Sequence, residues 1–175
     1  MDTEYDGGGI KTIIDDVVSK NNGVHGISVA GSGFFTIRNV EAVNNAGAGM
    51  KSFGIADPYN VTLDGQVNLN NNDVGLFLLG FLTPTPTAKL NVVGDLVTDR
   101  NSNDGILNED GTMVLGNSDN SSSGKSGKAG SSGSVKACMN GQVDINGPDD
   151  SFEGDDYTCD GDLSKCSECY PGCSP

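Results

Sequence analysis

Asp15, Arg38 and Asp64 recur at one position of a repeating pattern, with Gly94 in the fourth copy. Stacked in a column, they make an outward acid–base–acid row. A cross-strand ion-pair ladder accounts for such a row without any chemistry. The neighbouring positions, Asp16, Asn39, Gly65 and Asp95, are mixed, so no compact carboxylate set of the calcium-binding kind stands beside it. His25 is the one histidine. A proton shuttle needs a poised partner, and the sequence names none. It is expected to be a solvated corner residue.

The C-terminal residues carry different chemistry. Cys138, Cys159, Cys166, Cys169 and Cys173 crowd the end of a chain that has no cysteine before them. Disulfides in an oxidising compartment explain the clustering, with one thiol left over. Zinc is the rival, since Cys166-x2-Cys169 has metal-ligand spacing. The low apolar content around them favours a stapled loop over a packed metal domain. Eight acids lie between Asp144 and Asp162, and "DDSFEGDDYTCD" (149–160) loosely follows a calcium loop. Ser151 and Glu153 are poor ligands at their places, and a solvated acidic patch is the plainer reading. No cofactor is expected beyond weak calcium binding there. Asn60 and Asn120 begin N-glycosylation sequons, relevant only on an exported chain. The alternating threonines of "TPTPT" (83–87) are broken by prolines, which suits a loop.

Any such residues must be placed by the elements around them. The chain has 175 residues, 26 glycines, no tryptophan and a formal net charge of −14. That length supports one domain with a core. The charge disfavours nucleic acid, which is bound by neutralising phosphates, and anionic membrane surfaces. No apolar run is long enough for a membrane span. The start, "MDTEYDGGG", lacks a basic and an apolar signal region. It is read either as a chain not exported by the ordinary route or as a fragment.

A motif recurs four times: Asn21-Asn22 leads to Gly26, Asn44-Asn45 to Gly49, Asn70-Asn71 to Gly75, and Arg100-Asn101 to Gly105. The glycines therefore fall 23, 26 and 30 residues apart. An apolar residue follows each: Ile27, Met50, Leu76 and Ile106. Ile14, Ile37, Leu63 and Val93 stand at a fixed distance before each motif. The apolar runs between breaks are short and rich in Val, Ile and Leu, which makes them strands. Coils of that length with two or three strands stack as a parallel β-solenoid, whose core exists only between coils. Asn22, Asn45, Asn71 and Asn101 are expected to line the corner, tolerating left-handed backbone and passing amide hydrogen bonds along the axis. The glycine column allows a bend where a Cβ would clash.

The "NNxxxG[IML]" pattern resembles the parallel β-helix repeats of pectin-lyase-like proteins over about 12–116. The resemblance implies an all-β, right-handed parallel β-helix of about four coils. It also implies a carbohydrate link along the flat strand faces. Lyases of that kind use an arginine base and calcium-binding acids on such a face. By that resemblance Asp15, Arg38 and Asp64 become the catalytic candidates, against the ladder reading. β-Helices need caps, and no amphipathic helix precedes the first coil. A truncated member or an end-to-end assembly is therefore expected.

The sequence reading divides the chain into β-helix repeats (1–116), a disordered, flexible Ser/Gly linker (117–136) and a small, acidic, Cys-rich tail (137–175). The leading function is an extracellular or cell-surface protein with a structural or carbohydrate-contacting role, its partner a polysaccharide or cell-wall matrix. A polysaccharide lyase or glycoside hydrolase, or a degenerate fragment of one, is the alternative.

Overall fold

The structure is a computed structural model that describes residues 2–6, 9–80, 88–109, 111–115, 134–148, 152–153 and 157–159. Glycine and asparagine interrupt the apolar runs too often for helix, and every regular element among the described residues is a strand. In chain order these are β1 (Asp2–Asp6), β2 (Gly9–Lys20), β3 (Ile27–Val43), β4 (Ala48–Asn68), β5 (Val74–Leu79), β6 (Lys89–Val92) and β7 (Asp95–Val97). They continue with β8 (Ile106–Asn108), β9 (Thr112–Leu115), β10 (Val135–Ala137), β11 (Ile145–Asn146), β12 (Phe152–Glu153) and β13 (Tyr157–Cys159). None of the described elements is a helix long and apolar enough to cross a membrane.

Among the described residues all pairings but one are parallel, and they form three stacks. Ile27, Met50, Leu76, Ile106 and Ile145 are in register in the first. Ile14, Ile37, Leu63, Val92 and Leu115 are in register in the second. Val17, Val40, Val67, Leu96 and Val135 are in register in the third. The long strands β3 and β4 bend through all three stacks. Four complete circuits separate Ile27 from Ile145, so the fold is a parallel β-solenoid of about four turns. Met50, Ile37, Leu63, Leu76, Leu90 and Ile106 are fully buried between coils. Each rests on its equivalent one coil away, as the repeat requires.

The strand stacks depart from the sequence expectations in three places. The second-stack column contains Val92, not Val93: Leu63 pairs with Val92, and Val93 is 39% exposed. Adjacent valines let the register slip by one residue on paper. The solenoid also continues beyond residue 116. Val135–Ala137, placed at the linker–tail boundary, form β10 on β7, and Ile145 lies on Ile106. Val135, Ala137 and Cys138 are buried, but three residues after a Ser/Gly stretch are too few to show a period. Finally, the first coil carries a cover. β1 pairs antiparallel with β2, from Asp2↔Ile13 to Asp6↔Gly9, ending the parallel stack on a strand that carries Asp2, Glu4 and Asp6. Charge on an edge strand discourages further pairing.

One side chain holds the wide second circuit together. The register shifts between Gly31 and Gly33, where β4 is longer than β3. Tyr59 turns inward there and is 1% exposed. Its hydroxyl donates to the Val29 carbonyl (2.9 Å), accepts the Phe53 N–H (3.0 Å) and lies 2.8 Å from Ser52 Oγ. Burial raises its pKa, opposed by the Ser52 and Phe53 hydrogen bonds. Its ring tilts against Phe35 with centroids 5.5 Å apart.

Candidate functional site

The corner between the third and first stacks is built by two adjacent residues with different roles. Asn21, Asn44, Asn71, Arg100 and Met139 take the left-handed conformation, with φ between 55° and 59°. The residue after each carries the ladder: Asn22, Asn45, Asn72, Asn101 and Asn140. From Asn45 onward, each ladder carbonyl oxygen accepts the backbone N–H of its predecessor, over 2.8–3.0 Å. Three also accept the predecessor's side-chain amide. The spacings are 23, 27, 29 and 39 residues. Ser19 Oγ accepts the Asn22 amide at one end. At the other, the buried Asp144 carboxylate accepts the Asn140 amide at 2.6 Å.

Asn71 is thus the turn residue and Asn72 the ladder residue, a correction to the motif alignment. Two residues separate Asn72 from Gly75, where Asn22, Asn45 and Asn101 are each followed by three before the glycine, and the run Asn70-Asn71-Asn72 hides the difference. The fifth rung, Asn140, lies too far from the fourth for the regular interval to find it.

Gly26, Gly49, Gly75 and Gly105 serve the ladder by being small, because their backbone angles are ordinary. A Cβ on Gly49 would lie 2.5 Å from Asn72 Nδ2, and one on Gly105 2.5 Å from Asn140 Nδ2. On Gly26 it would meet Asn45 Nδ2 at 2.7 Å and the Gly49 carbonyl at 2.6 Å. Space for the next coil's amide, rather than a bend, fixes glycine here.

Asp15, Arg38 and Asp64 do pair in register on the second stack. Arg38 Nε lies 3.1 Å from Asp15 Oδ2, off the line of a hydrogen bond. Asn39 Nδ2 donates to Asp15 Oδ1, and Asp64 Oδ1 accepts the Gly65 N–H. Val93, not Gly94, occupies the fourth place, since Leu63 aligns with Val92. Gly94 lies against the Gly65 backbone instead.

His25 is half-buried, not solvated. Its Nδ1 accepts the Ala48 N–H at 2.9 Å. Burial and, secondarily, Lys51 lower its pKa, which favours the neutral ring. It edges a cleft of about 330 Å³ on the outside of the first stack. Phe77 and Leu107, successive residues in register, line it together with Ala48 and Val74. Lys51, one coil earlier than Phe77, holds Nζ 5.2 Å from the Phe77 ring centre. A polar row borders the cleft: Gln142 donates to Asn103 (2.8 Å), and Asn103 donates to Asp73 (2.6 Å).

Asp104 also lines this cleft. It occupies the place before the repeat glycine, where the two adjacent coils have Val74 and Val143 and the earlier ones Ala48 and His25. It is 5% exposed. Its Oδ2 has one long hydrogen bond, 3.5 Å from Asn146 Nδ2, and its Oδ1 is enclosed without a partner. The motif analysis missed this residue. Its signal was a carboxylate at the pre-glycine position, where the other coils have His25, Ala48, Val74 and Val143.

A second cleft of about 410 Å³, on the third stack, is lined by Gln66, Asn68, Asp95, Ser134 and Lys136. Its charges are engaged within the chain: Lys136 Nζ with Asp99 (2.8 Å), and Asp95 with the Ser134 hydroxyl (2.8 Å). Cys138 is buried and disulfide-bonded. Cys159 lies in β13, whose backbone pairs with β10. Cys166, Cys169, Cys173, Asn120 and the threonines of 83–87 lie outside the described residues, as does most of the acidic stretch 149–160. Asn60 stands in β4, paired with Phe34 and Lys89. Among the described residues no three His, Cys, Asp or Glu side chains could hold a metal ion.

Comparison with protein families, with curated proteins and with solved structures finds no match to this chain.

Proposed function

We propose that this protein is an extracellular or cell-surface β-helix with a structural, carbohydrate-contacting role. The observation that carries this reading is the outer face of the first stack. There Lys51, Phe77, Leu107 and Asn146 follow one another in register, one per coil, about 4.8 Å apart along the axis. A flat, partly apolar strip edged by Asp73, Asn103 and Gln142 suits a sugar chain, whose units present an apolar face and a hydroxylated rim. The buried, disulfide-bonded Cys138 supports an oxidising compartment.

The alternative is a polysaccharide lyase or hydrolase acting at Asp15, Arg38 and Asp64. It has less support, because Asp15 already faces the Arg38 charge and both side chains are about 40% exposed, as in a solvated ladder. Affinity electrophoresis against immobilised neutral, acidic and cationic polysaccharides tests the proposal, with cleavage followed by new reducing or unsaturated ends. Retardation by at least one polysaccharide, reduced in Phe77→Ala, is the expected result. Retention of none refutes it, and cleavage lost in Arg38→Ala moves the conclusion to the enzyme.

A further inference from the structure

We infer that the first-stack cleft takes the ammonium group of an amino-sugar unit, so that the preferred glycan is cationic. This rests on the carbohydrate-contacting reading and narrows it. The cleft brings together Asp73, Asp104 and Glu109, while neither lysine nor arginine lines it among the described residues. His25, on its edge, favours the uncharged ring. A uronate-bearing polymer would set its carboxylates against those acids and against the chain's net charge of −14.

Asp104 points more narrowly to a cation. A buried carboxylate is costly unless it is paired and hydrogen-bonded. This one has a single long contact from Asn146 and an oxygen with none. The fold does not require it, since Ala48 and Val74 fill the equivalent place in earlier coils. An ammonium group supplies what is missing: positive charge and three N–H donors. Rotation about the carboxylate's terminal torsion, which is broad, brings either oxygen toward the cleft. The Phe77 ring already faces one cation, Lys51 Nζ, 5.2 Å from its centre, so the ammonium is assigned to the Asp104 carboxylate. Phe77 and Leu107 then receive the apolar face of the sugar ring, and the Asp73–Asn103–Gln142 row its hydroxyls.

Isothermal titration calorimetry on the full chain tests this, using a short glucosamine oligomer, its N-acetylated counterpart, a galacturonate oligomer and a lysine oligopeptide. The glucosamine oligomer is expected to bind at least tenfold more tightly than each of the others. Asp104→Asn keeps the shape and removes the charge. It should weaken glucosamine binding about tenfold, the worth of one charge-assisted hydrogen bond. Asp104→Val should abolish binding while raising the denaturation midpoint, which separates loss of ligand from loss of fold. Asp16→Asn, at an exposed left-handed corner away from this cleft, should change nothing. If the acetylated or uronate oligomer binds as well, the inference falls and the carbohydrate reading stands. Equal binding of the lysine peptide means diffuse charge attraction and overturns the inference, as does an Asp104→Asn variant that binds like the parent. If none of the oligomers binds, the inference falls; if the immobilised panel also fails to retain the chain, the carbohydrate reading falls with it.

Discussion

Truncating Asn72 and Asn71 in turn separates the two roles that the corner assigns to neighbouring asparagines. Asn72 is 3% exposed. Its Oδ1 accepts both the backbone N–H and the amide of Asn45 at 2.9 Å, and its Nδ2 donates to the Ala42 carbonyl at 2.9 Å. Asn72→Ala strands all three groups. Each buried polar group left unpaired costs about 1–3 kcal/mol. The Asn45 amide recovers part through the Ser19 carbonyl, 3.4 Å away. The net loss is about 3 kcal/mol, large against a typical total of about 5–15 kcal/mol yet small enough to leave the chain folded. Asn71 is exposed and left-handed, with φ 55°. Asn71→Ala should cost about 1 kcal/mol in backbone strain, and Asn71→Gly close to nothing. Urea denaturation followed by far-UV circular dichroism measures both, provided the slope is unchanged between variants. If Asn71→Gly costs as much as Asn72→Ala, or Asn72→Ala costs under about 0.5 kcal/mol, the ladder assignment is wrong.

Three further outcomes follow from the same geometry. Gly49→Ala drives a Cβ to 2.5 Å from the Asn72 amide and should destabilise by roughly 2 kcal/mol, whereas Gly23→Ala, with no atom within 4 Å of the added Cβ, should be neutral in the same denaturation assay. Tyr59→Phe removes the partner of the Phe53 N–H and the Val29 carbonyl and should lower stability by about 1–3 kcal/mol; a loss confined to a few tenths would mean that water replaces the hydroxyl. His25 has a folded pKa below its ordinary 6.5, so the unfolded chain binds its proton more readily. Its contribution to stability is complete above about pH 6.5 and declines as the pH falls from there toward the folded pKa, and denaturation midpoints across that range should lose this slope in His25→Gln.

The sequence reveals the repeat because stacking ties each apolar residue to one equivalent in the next coil. Ile27, Met50, Leu76 and Ile106 are legible for that reason. Register fails where similar residues stand side by side, as at Asn70-Asn71-Asn72 and Val92-Val93. In both places a one-residue change in corner length leaves the pattern intact on paper and moves a side chain from core to surface. Val135 and Ile145 are hidden by a different effect, a Ser/Gly-rich insertion that makes the last circuit the longest. Tyr59 and Asp104 have no repeating counterpart, and periodicity carries no information about residues that occur once.

That last property also says where function should be sought in such a fold. Asn45, Asn72 and Asn101 are polar and buried, but the ladder uses their hydrogen-bonding groups, and the repeat glycines are explained by the space those amides need. Asp15 and Arg38 neutralise one another at the surface. A residue that matches its column is accounted for by the coil above and below it. Asp104 does not match its column: alanine or valine would satisfy the packing, and the carboxylate brings an unmet hydrogen bond into the wall of a cleft. Natural chains retain such costs chiefly at functional sites. A stabilising Asp104→Val substitution, with the ladder untouched, would show that this carboxylate serves something other than the solenoid.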